Sequence, residues 1–266
     1  MNPFITFTSD FGHTDTYVAS VKMAILSRIP EAIIIDVTHH IPPFSPLLAL
    51  APLLEILEVA PPTTIHLVVV DPGVGSRRRA VAGELDGSRF VMQDNGLPYF
   101  LTLWKENLRF FHLADPLLFG GVESPTFQGR DLFAPAVAAL CRGRRPGELG
   151  PEIPPRDLVR DTRLSGFTPG DLLVWNVDRF GNILLGYRVF TPPARVEIKW
   201  GERSLPYVTR YQEVPTGDLG VLVNSSGWLE IFCREGNAAS LTGLRTGMFV
   251  KTTVLGGKGR PLIEAG

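Results

Sequence analysis

The sequence predicts an α/β protein: an N-terminal Rossmann-like domain on a parallel sheet, followed by a small C-terminal antiparallel β-barrel domain. Three observations carry this reading. Over the first 70 residues short apolar runs alternate with helix-like stretches. That βαβαβ rhythm belongs to a parallel sheet covered by helices on both faces. After Gly170 the chain changes to short alternating strands punctuated by turns, with no helical periodicity, the pattern of a small barrel or sandwich. Between these regions, residues 145–155 hold four prolines and two glycines among few apolar side chains and read as a linker or surface loop. The expected domains are residues 1–160 and 161–266.

Element by element, residues 5–8 read as a strand, 16–28 as an amphipathic helix and 32–37 as a second strand. Residues 46–60 form a Leu-rich helix and 64–70 a strand buried on both faces. Residues 80–85 and 89–93 predict a hairpin turning at Asp86-Gly87. A helix follows over 131–141, on Leu132, Ala136, Val137, Ala139 and Leu140. The second domain is expected to hold strands at 172–177, 182–187, 194–200, 219–223, 228–232 and 248–253.

Composition narrows the function. The 266 residues are 44% hydrophobic and 20% charged, ordinary for a globular chain and unlike a disordered one. A net charge of -1, with no like-charge block longer than Arg77-Arg78-Arg79, disfavours nucleic acid as a partner. The apolar runs are too short to span a bilayer, and no signal peptide is visible ahead of the first strand. Cys141 and Cys233 sit in no paired motif and read as inert thiols of a reducing cytoplasm.

Polar clusters follow several predicted strands directly, where open α/β sheets bind ligands. Ser9-Asp10-Phe11-Gly12 follows the first, Thr38-His39-His40 the second, Asp71-Pro72-Gly73-Val74-Gly75 the third, and Gln93-Asp94-Asn95-Gly96 a later one. A carboxylate in the first cluster suits a ribose diol; Thr14 or Asp15 acting as a helix cap is the alternative. The Asp71 turn with Arg78 brings backbone and an acid–base pair near a ligand, although its spacing is neither a Walker nor a dinucleotide pattern. Arg77 and Arg79 read as solvated. Asp178 to Asn182, Asn224 to Gly227 and Gly236 to Ala239 read as turns at strand ends of the second domain.

Together these stretches resemble the S-adenosylmethionine hydroxide adenosyltransferase family, relatives of the fluorinases and chlorinases. The resemblance spans nearly the whole chain. It rests on Thr8-Ser-Asp-Phe-Gly, Asp36-Val-Thr-His, Val70-Asp-Pro-Gly-Val-Gly, Gln93-Asp-Asn-Gly, Phe127-Gln-Gly-Arg-Asp, Asp178-Arg-Phe-Gly-Asn, Asn224-Ser-Ser-Gly and Gly236-Asn-Ala-Ala, in family order. It implies hydrolysis of S-adenosylmethionine to adenosine and methionine, without a cofactor or metal, by a cytoplasmic homotrimer. The substrate would lie between the N-terminal domain of one subunit and the C-terminal domain of its neighbour. Asp10 would accept the ribose hydroxyls and Phe44 would pack on ribose or methionine. Phe180 and Asn182 would contact adenine, and Asn237 and Ala238 would read its amino edge. Asp178, Ser225 and Glu230, with Asp15, would hold the methionine ammonium and carboxylate.

For catalysis the resemblance implies an Asp–Arg–His set, matched at Asp71 and, seven residues on, at Arg78. Where the family has its histidine this chain has Gln128. Glutamine orients water but accepts no proton near neutral pH. A non-catalytic binder of S-adenosylmethionine or adenosine is therefore the alternative class. A halogenase fits less well, since those relatives carry an extra loop and a tyrosine at the position of Asp71.

Overall fold

Strands β1 (Phe4–Ser9) and β3 (Ile65–Val69) lie inside a sheet and are almost wholly buried, with Ile5, Phe7, Ile65 and Leu67 in the core and Thr6 Oγ1 2.8 Å from His66 Nδ1. The computed structural model describes residues 2–114, 126–160, 171–200 and 203–263. The chain divides into two units, Met1–Asp161 and Thr162–Gly266. The boundary expected at residues 160 and 161 abuts residues 161–170, which lie outside the described residues.

The remaining strands of the first unit are β2 (Ile33–Thr38), β4 (Ala80–Leu85), β5 (Ser88–Gln93), β6 (Arg109–His112) and β7 (Glu152–Ile153), in the order β2-β1-β3-β5-β4-β6-β7. Pairing is parallel from β2 through β1 and β3 to β5, and antiparallel from there on. The sheet is thus Rossmann-like but mixed. The reversal comes from the expected hairpin: Asp86 and Gly87 both have positive φ, 48° and 93°, as the twist of a tight hairpin turn demands.

Helices α1 (Tyr17–Leu26) and α4 (Ala134–Cys141) cover one face. Val18, Val21, Ile25, Ala136, Val137 and Leu140 pack there on Ile5, Phe7, Ile65 and Leu67. Helices α2 (Leu50–Val59) and α3 (Leu97–Trp104) contact each other, β2 and β5. The predicted helix at 46–60 opens as a 3-10 turn, Pro46–Ala49, before becoming α2. The one at 131–141 opens as a π turn, Gly129–Phe133.

Residues 145–155 correct the linker expectation. Glu152–Ile153 joins the sheet beside β6, and Leu149 and Ile153 are buried. The prolines form 3-10 turns at Pro146–Glu148 and Pro155–Asp157, holding the two apolar anchors against the unit. Arg79, read as solvated, instead grips the fully buried Asp94, with Nη2 2.6 Å from Oδ2. Its guanidinium also donates to the Asp157 carbonyl, and Asp94 Oδ1 accepts from the Val159 amide at 2.8 Å.

The second unit is an antiparallel, nearly closed barrel. Its strands are β8 (Asp171–Val177), β9 (Ile183–Thr191), β10 (Arg195–Trp200), β11 (Arg203–Ser204), β12 (Leu219–Val223), β13 (Trp228–Cys233), β14 (Phe249–Leu255) and β15 (Lys258–Pro261). They run β11-β10-β14-β8-β9-β13-β12, with β15 also on β9. Hydrogen bonds from Leu205 to Ile198 and between residues 206–208 and Val221 carry the chain across from β10 to β12. Inside lie Val174, Ile183, Leu185, Ile198, Val221, Leu229 and Ile231. Gly236 to Ala239, read as a turn, instead launches a short helix, α5 (Ala238–Thr242), capped by Asn237, whose side chain accepts from the Ser240 amide at 2.7 Å.

Candidate functional site

A cleft of about 410 Å³ opens at the carboxyl ends of β1, β3 and β5, lined by Asp10, Phe44, Asp71, Gln93 and Gln128 among others. This is where parallel strands release their chains and leave polar loops facing one another. Phe11, Tyr17 and Phe127 form one wall, with ring centroids 5.4–6.2 Å apart. Gln128 stands at the start of the π turn. Gly129 behind it is buried against Val21 and Val69, so the turn rests directly on α1 and β3.

Asp71 and Arg78 form a buried ion pair through Oδ1 and Nη2, their side chains 7% and 14% exposed. The same Oδ1 accepts from the Gly73 amide at 2.8 Å. A Cβ on Gly73 would overlap the Arg78 guanidinium, so glycine here serves close approach. Asp71 Oδ2 and Arg78 Nε are buried without hydrogen-bond partners among the described residues, and so is Nε2 of Gln93.

Asp10 is half-buried, and burial raises its pKa against the lowering effect of the Phe44 amide. That amide donates to Oδ2 at 3.1 Å. Phe44 holds φ 64° with its ring 68% exposed. A left-handed backbone at an aromatic residue is strained and concentrates at functional sites. The helix-cap alternative does not hold: α1 begins after Thr16 without a side-chain cap. Asp15 is exposed and does not line this cleft.

Behind Asp10 runs a polar chain that sequence reading left unassigned, buried at Ser9 and His39 and reaching the surface at Asp36 and Lys22. Ser9 Oγ lies 2.7 Å from His39 Nδ1, His39 Nε2 lies 3.0 Å from Asp36 Oδ1, and Lys22 Nζ lies 2.5 Å from Asp36 Oδ2. Burial lowers the pKa of His39 despite Asp36. Burial alone would raise Asp36, but Lys22 and His39 hold it below the usual carboxylate value. In the neutral Nε2–H tautomer Ser9 donates to His39 Nδ1, while His39 Nε2 faces Asp36 Oδ1 without meeting hydrogen-bond geometry. Ser9 Oγ accepts from the Phe11 amide, and the His39 carbonyl accepts from the Gly12 amide. Asp10 is thereby pinned on both sides. His40 is exposed, with His13 between it and His39.

The second unit has its own cleft, about 580 Å³, lined by Asp178, Phe180, Asn182, Tyr211, Ser225 and Glu230 among others. Asp178 to Asn182 is the expected turn. Asp178 Oδ1 accepts from the Phe180 and Asn182 amides, and Oδ2 accepts from Asn182 Nδ2 at 3.0 Å. Phe180 is thrown outward, 74% exposed. Gly181, at φ 85°, lies so close to the Asn237 carboxamide that a Cβ would overlap it. Asn237 lines a groove adjoining Phe180 and Asn182, while Ala238 is buried in the barrel core and presents only backbone. Glu230 is buried, and burial raises its pKa. Tyr211, which sequence reading missed, donates to its Oε1 at 2.9 Å. Burial and that carboxylate push the Tyr211 hydroxyl up to about 12.

Among the described residues no group of three or more His, Cys, Asp or Glu is arranged to hold a metal ion, and no helix is long and apolar enough to cross a membrane.

Residues 5–150 match the SAM hydroxide adenosyltransferase N-terminal domain, and residues 173–251 the corresponding C-terminal domain. The chain is 37% identical over 255 residues to the (R)-S-adenosyl-L-methionine hydrolase of Thermus thermophilus, covering 93% of this chain and 98% of that one. It is 25% identical to a fluorinase of an Actinoplanes species over 95% of this chain and 98% of the relative. A crystal structure of an uncharacterized conserved protein from Thermotoga maritima superposes with a TM-score of 0.82 at 28% identity, covering 94% of this chain and all of that one. Both domains and nearly the full length agree, and the chain belongs to the SAM hydroxide adenosyltransferase family.

Proposed function

We infer that this chain hydrolyses S-adenosyl-L-methionine to adenosine and L-methionine, by attack of water or hydroxide at the ribose 5′ carbon. The observation that carries the reading is the Asp71–Arg78 pair, whose carboxylate residue lines an aromatic-walled cleft and keeps one oxygen unpartnered among the described residues. The relatives named as hydrolases, 30–37% identical over most of their length, point the same way.

The leaving group is a sulfonium. As C5′–S breaks, its electron pair neutralises sulfur and methionine departs uncharged at that atom, so no general acid is required. The site has to align a poorly hydrated nucleophile opposite sulfur and keep bulk water out. Asp71 directs the water and takes up its proton. Arg78 fixes the carboxylate, and its permanent charge favours hydroxide over water at that point. Gln128 orients the nucleophile. No cofactor is called for.

Asp10 receives the ribose diol and Phe44 covers the ribose or methionine. In the second unit Phe180 and Asn182 contact adenine, with Asn237 and the Ala238 backbone at its amino edge. Asp178, Ser225 and Glu230 meet the amino-acid end, and Asp15 contributes from its exposed loop. The reacting pair and the adenine-facing residues line separate clefts, which supports a homotrimer with the first-unit cleft of one protomer and the second-unit cleft of another sharing one substrate. The β2 edge supports association too. Ile33 and Ile35 are 40% and 45% exposed at the start of this strand, apolar side chains on an edge that a monomer rarely leaves open. Two unpaired cysteines, Cys141 and Cys233, fit a reducing cytoplasm.

A second reading, a binder without turnover, is favoured by Gln128 alone. Incubation with S-adenosylmethionine and identification of products decides. Adenosine with methionine supports the hydrolase, a 5′-halo-5′-deoxyadenosine in the presence of halide means halogenase, and binding without products means sensor. Sedimentation as a stable monomer that still binds ligand would rule out the shared site.

A further inference from the structure

Gln93 ends β5 with only 2% of its surface exposed, yet its Nε2 has no hydrogen-bond partner among the described residues. Proteins rarely bury an amide donor unsatisfied, because folding then strips it of water with nothing in return. Gln93 lines the same cleft as Asp71 and Gln128, and sheet register explains why. β3 and β5 are parallel neighbours with Leu67 beside Val91. Carried forward two residues, that register sets Val69 beside Gln93, and Asp71 follows at the same strand ends.

The unsatisfied atoms are complementary. Asp71 Oδ2 only accepts and Gln93 Nε2 only donates. Both residues line the cleft, and a water held between them would donate a hydrogen to Oδ2 and accept from Nε2–H. Its second lone pair stays free for carbon.

We propose that Gln93 is a further catalytic residue, whose carboxamide holds the nucleophilic water against Asp71. The proposal rests on the hydrolase reading. In the step it serves, the free lone pair of water forms the O–C5′ bond as C5′–S breaks and the bonding pair passes to sulfur. The new oxygen carries an excess proton, which passes to Asp71 Oδ2 and then to solvent. Gln93 transfers no proton; it fixes the oxygen in line.

The test is Gln93→Met in the full-length protein, a substitution of similar length without polar atoms. The readouts are kcat and KM for S-adenosylmethionine, the dissociation constant for adenosine, and the melting temperature. We expect kcat to fall about 100-fold, the lower end of the range for losing a positioned donor, with KM and adenosine affinity within roughly twofold of wild type. The melting temperature should not fall, since an unsatisfied buried amide is being replaced by an apolar chain. If Gln93→Met does not fold, Gln93→Glu, which also lacks the donor, should show the same drop. An unchanged kcat overturns the proposal. So does a rise in KM at constant kcat, which makes Gln93 a substrate contact, or a melting temperature that falls in step with rate, which makes it structural. A wild-type protein that forms no adenosine overturns the hydrolase reading, a different result from an active wild type with an equally active variant.

Discussion

Replacing Asp10 with asparagine tests the ribose clamp with shape held nearly constant. In the ligand-free fold one carboxylate oxygen accepts from the Phe44 amide at 3.1 Å. Asparagine keeps one acceptor for that amide, but its nitrogen cannot accept a hydroxyl. The variant therefore loses at least one hydrogen bond from ribose to a charged group, worth about 1.5–3 kcal/mol. That is about 10- to 150-fold in affinity for adenosine, measurable by calorimetry. For 2′-deoxyadenosine the wild type has already lost one of these bonds, so the same substitution should cost clearly less, and the difference between the two losses measures the clamp. Stability should move the other way. Burial raises the Asp10 pKa in the fold, so the folded state binds a proton more tightly than the unfolded chain. Ionisation near neutral pH then opposes folding, and a neutral side chain should leave the melting temperature equal or higher. The same shift gives a pH signature: wild-type affinity should fall as pH drops through the raised pKa, whereas Asp10→Asn should show no such limb. Equal losses for adenosine and 2′-deoxyadenosine, or an unchanged dissociation constant, would refute the clamp.

Arg78→Ala should abolish turnover while leaving adenosine affinity nearly intact, because its charge acts on the nucleophile; parallel loss of both in single-turnover and calorimetric assays would place Arg78 in binding instead. Gln128→His should speed hydrolysis, by less than the about 10²–10⁴-fold that a native general base supplies, since a grafted base lacks its supporting contacts. Slower turnover in that variant would show that the cleft is built around the carboxamide. Gly181→Ala puts a side chain at φ 85° and into the Asn237 carboxamide, so it should destabilise the protein by about 1–3 kcal/mol; a thermal unfolding curve identical to wild type would contradict the packing of that turn on Asn237.

Local signals explain what was legible. The apolar strands and the Asp86-Gly87 hairpin declare themselves in composition and turn chemistry: the strand expected at 64–70 forms as Ile65–Val69, the one at 219–223 with those bounds, and the hairpin strands expected at 80–85 and 89–93 as Ala80–Leu85 and Ser88–Gln93. Helix α3 was missed because Leu97 to Trp104 is apolar almost throughout and opens with Pro98, leaving no polar face to reveal a helical period. Strand β7 was missed because two residues among prolines carry no period at all. The change from parallel to antiparallel pairing beyond β5 is a long-range choice that no window of sequence contains. For the site, strand-end clusters and the family motifs located Asp10, Asp71, Arg78 and Asp178. Tyr211 and the link from Ser9 to His39 stayed hidden, since their meaning comes from partners 19 and 30 residues away.

The exchange of histidine for glutamine at position 128 bears on which step needs a base. Attack on a sulfonium-activated carbon neutralises the leaving group without a proton, so the proton to be moved belongs to the nucleophile alone. If water attacks as water, that proton becomes labile only as the O–C5′ bond forms, on an oxygen far more acidic than any carboxylic acid, and a carboxylate is base enough to accept it. What the site must then provide is alignment, and a carboxamide provides that without titrating. If hydroxide attacks, a base or a lowered water pKa is needed first, and the rate should rise with pH until the nucleophile is deprotonated. The pH profile separates the two. Above the Asp10 limb, a rate independent of pH through the neutral range means that water attacks and that Asp71, with carboxamides around it, suffices. A rate climbing about tenfold per pH unit means that Arg78 is stabilising hydroxide, and Gln128 then stands where a proton acceptor would raise the neutral-pH rate.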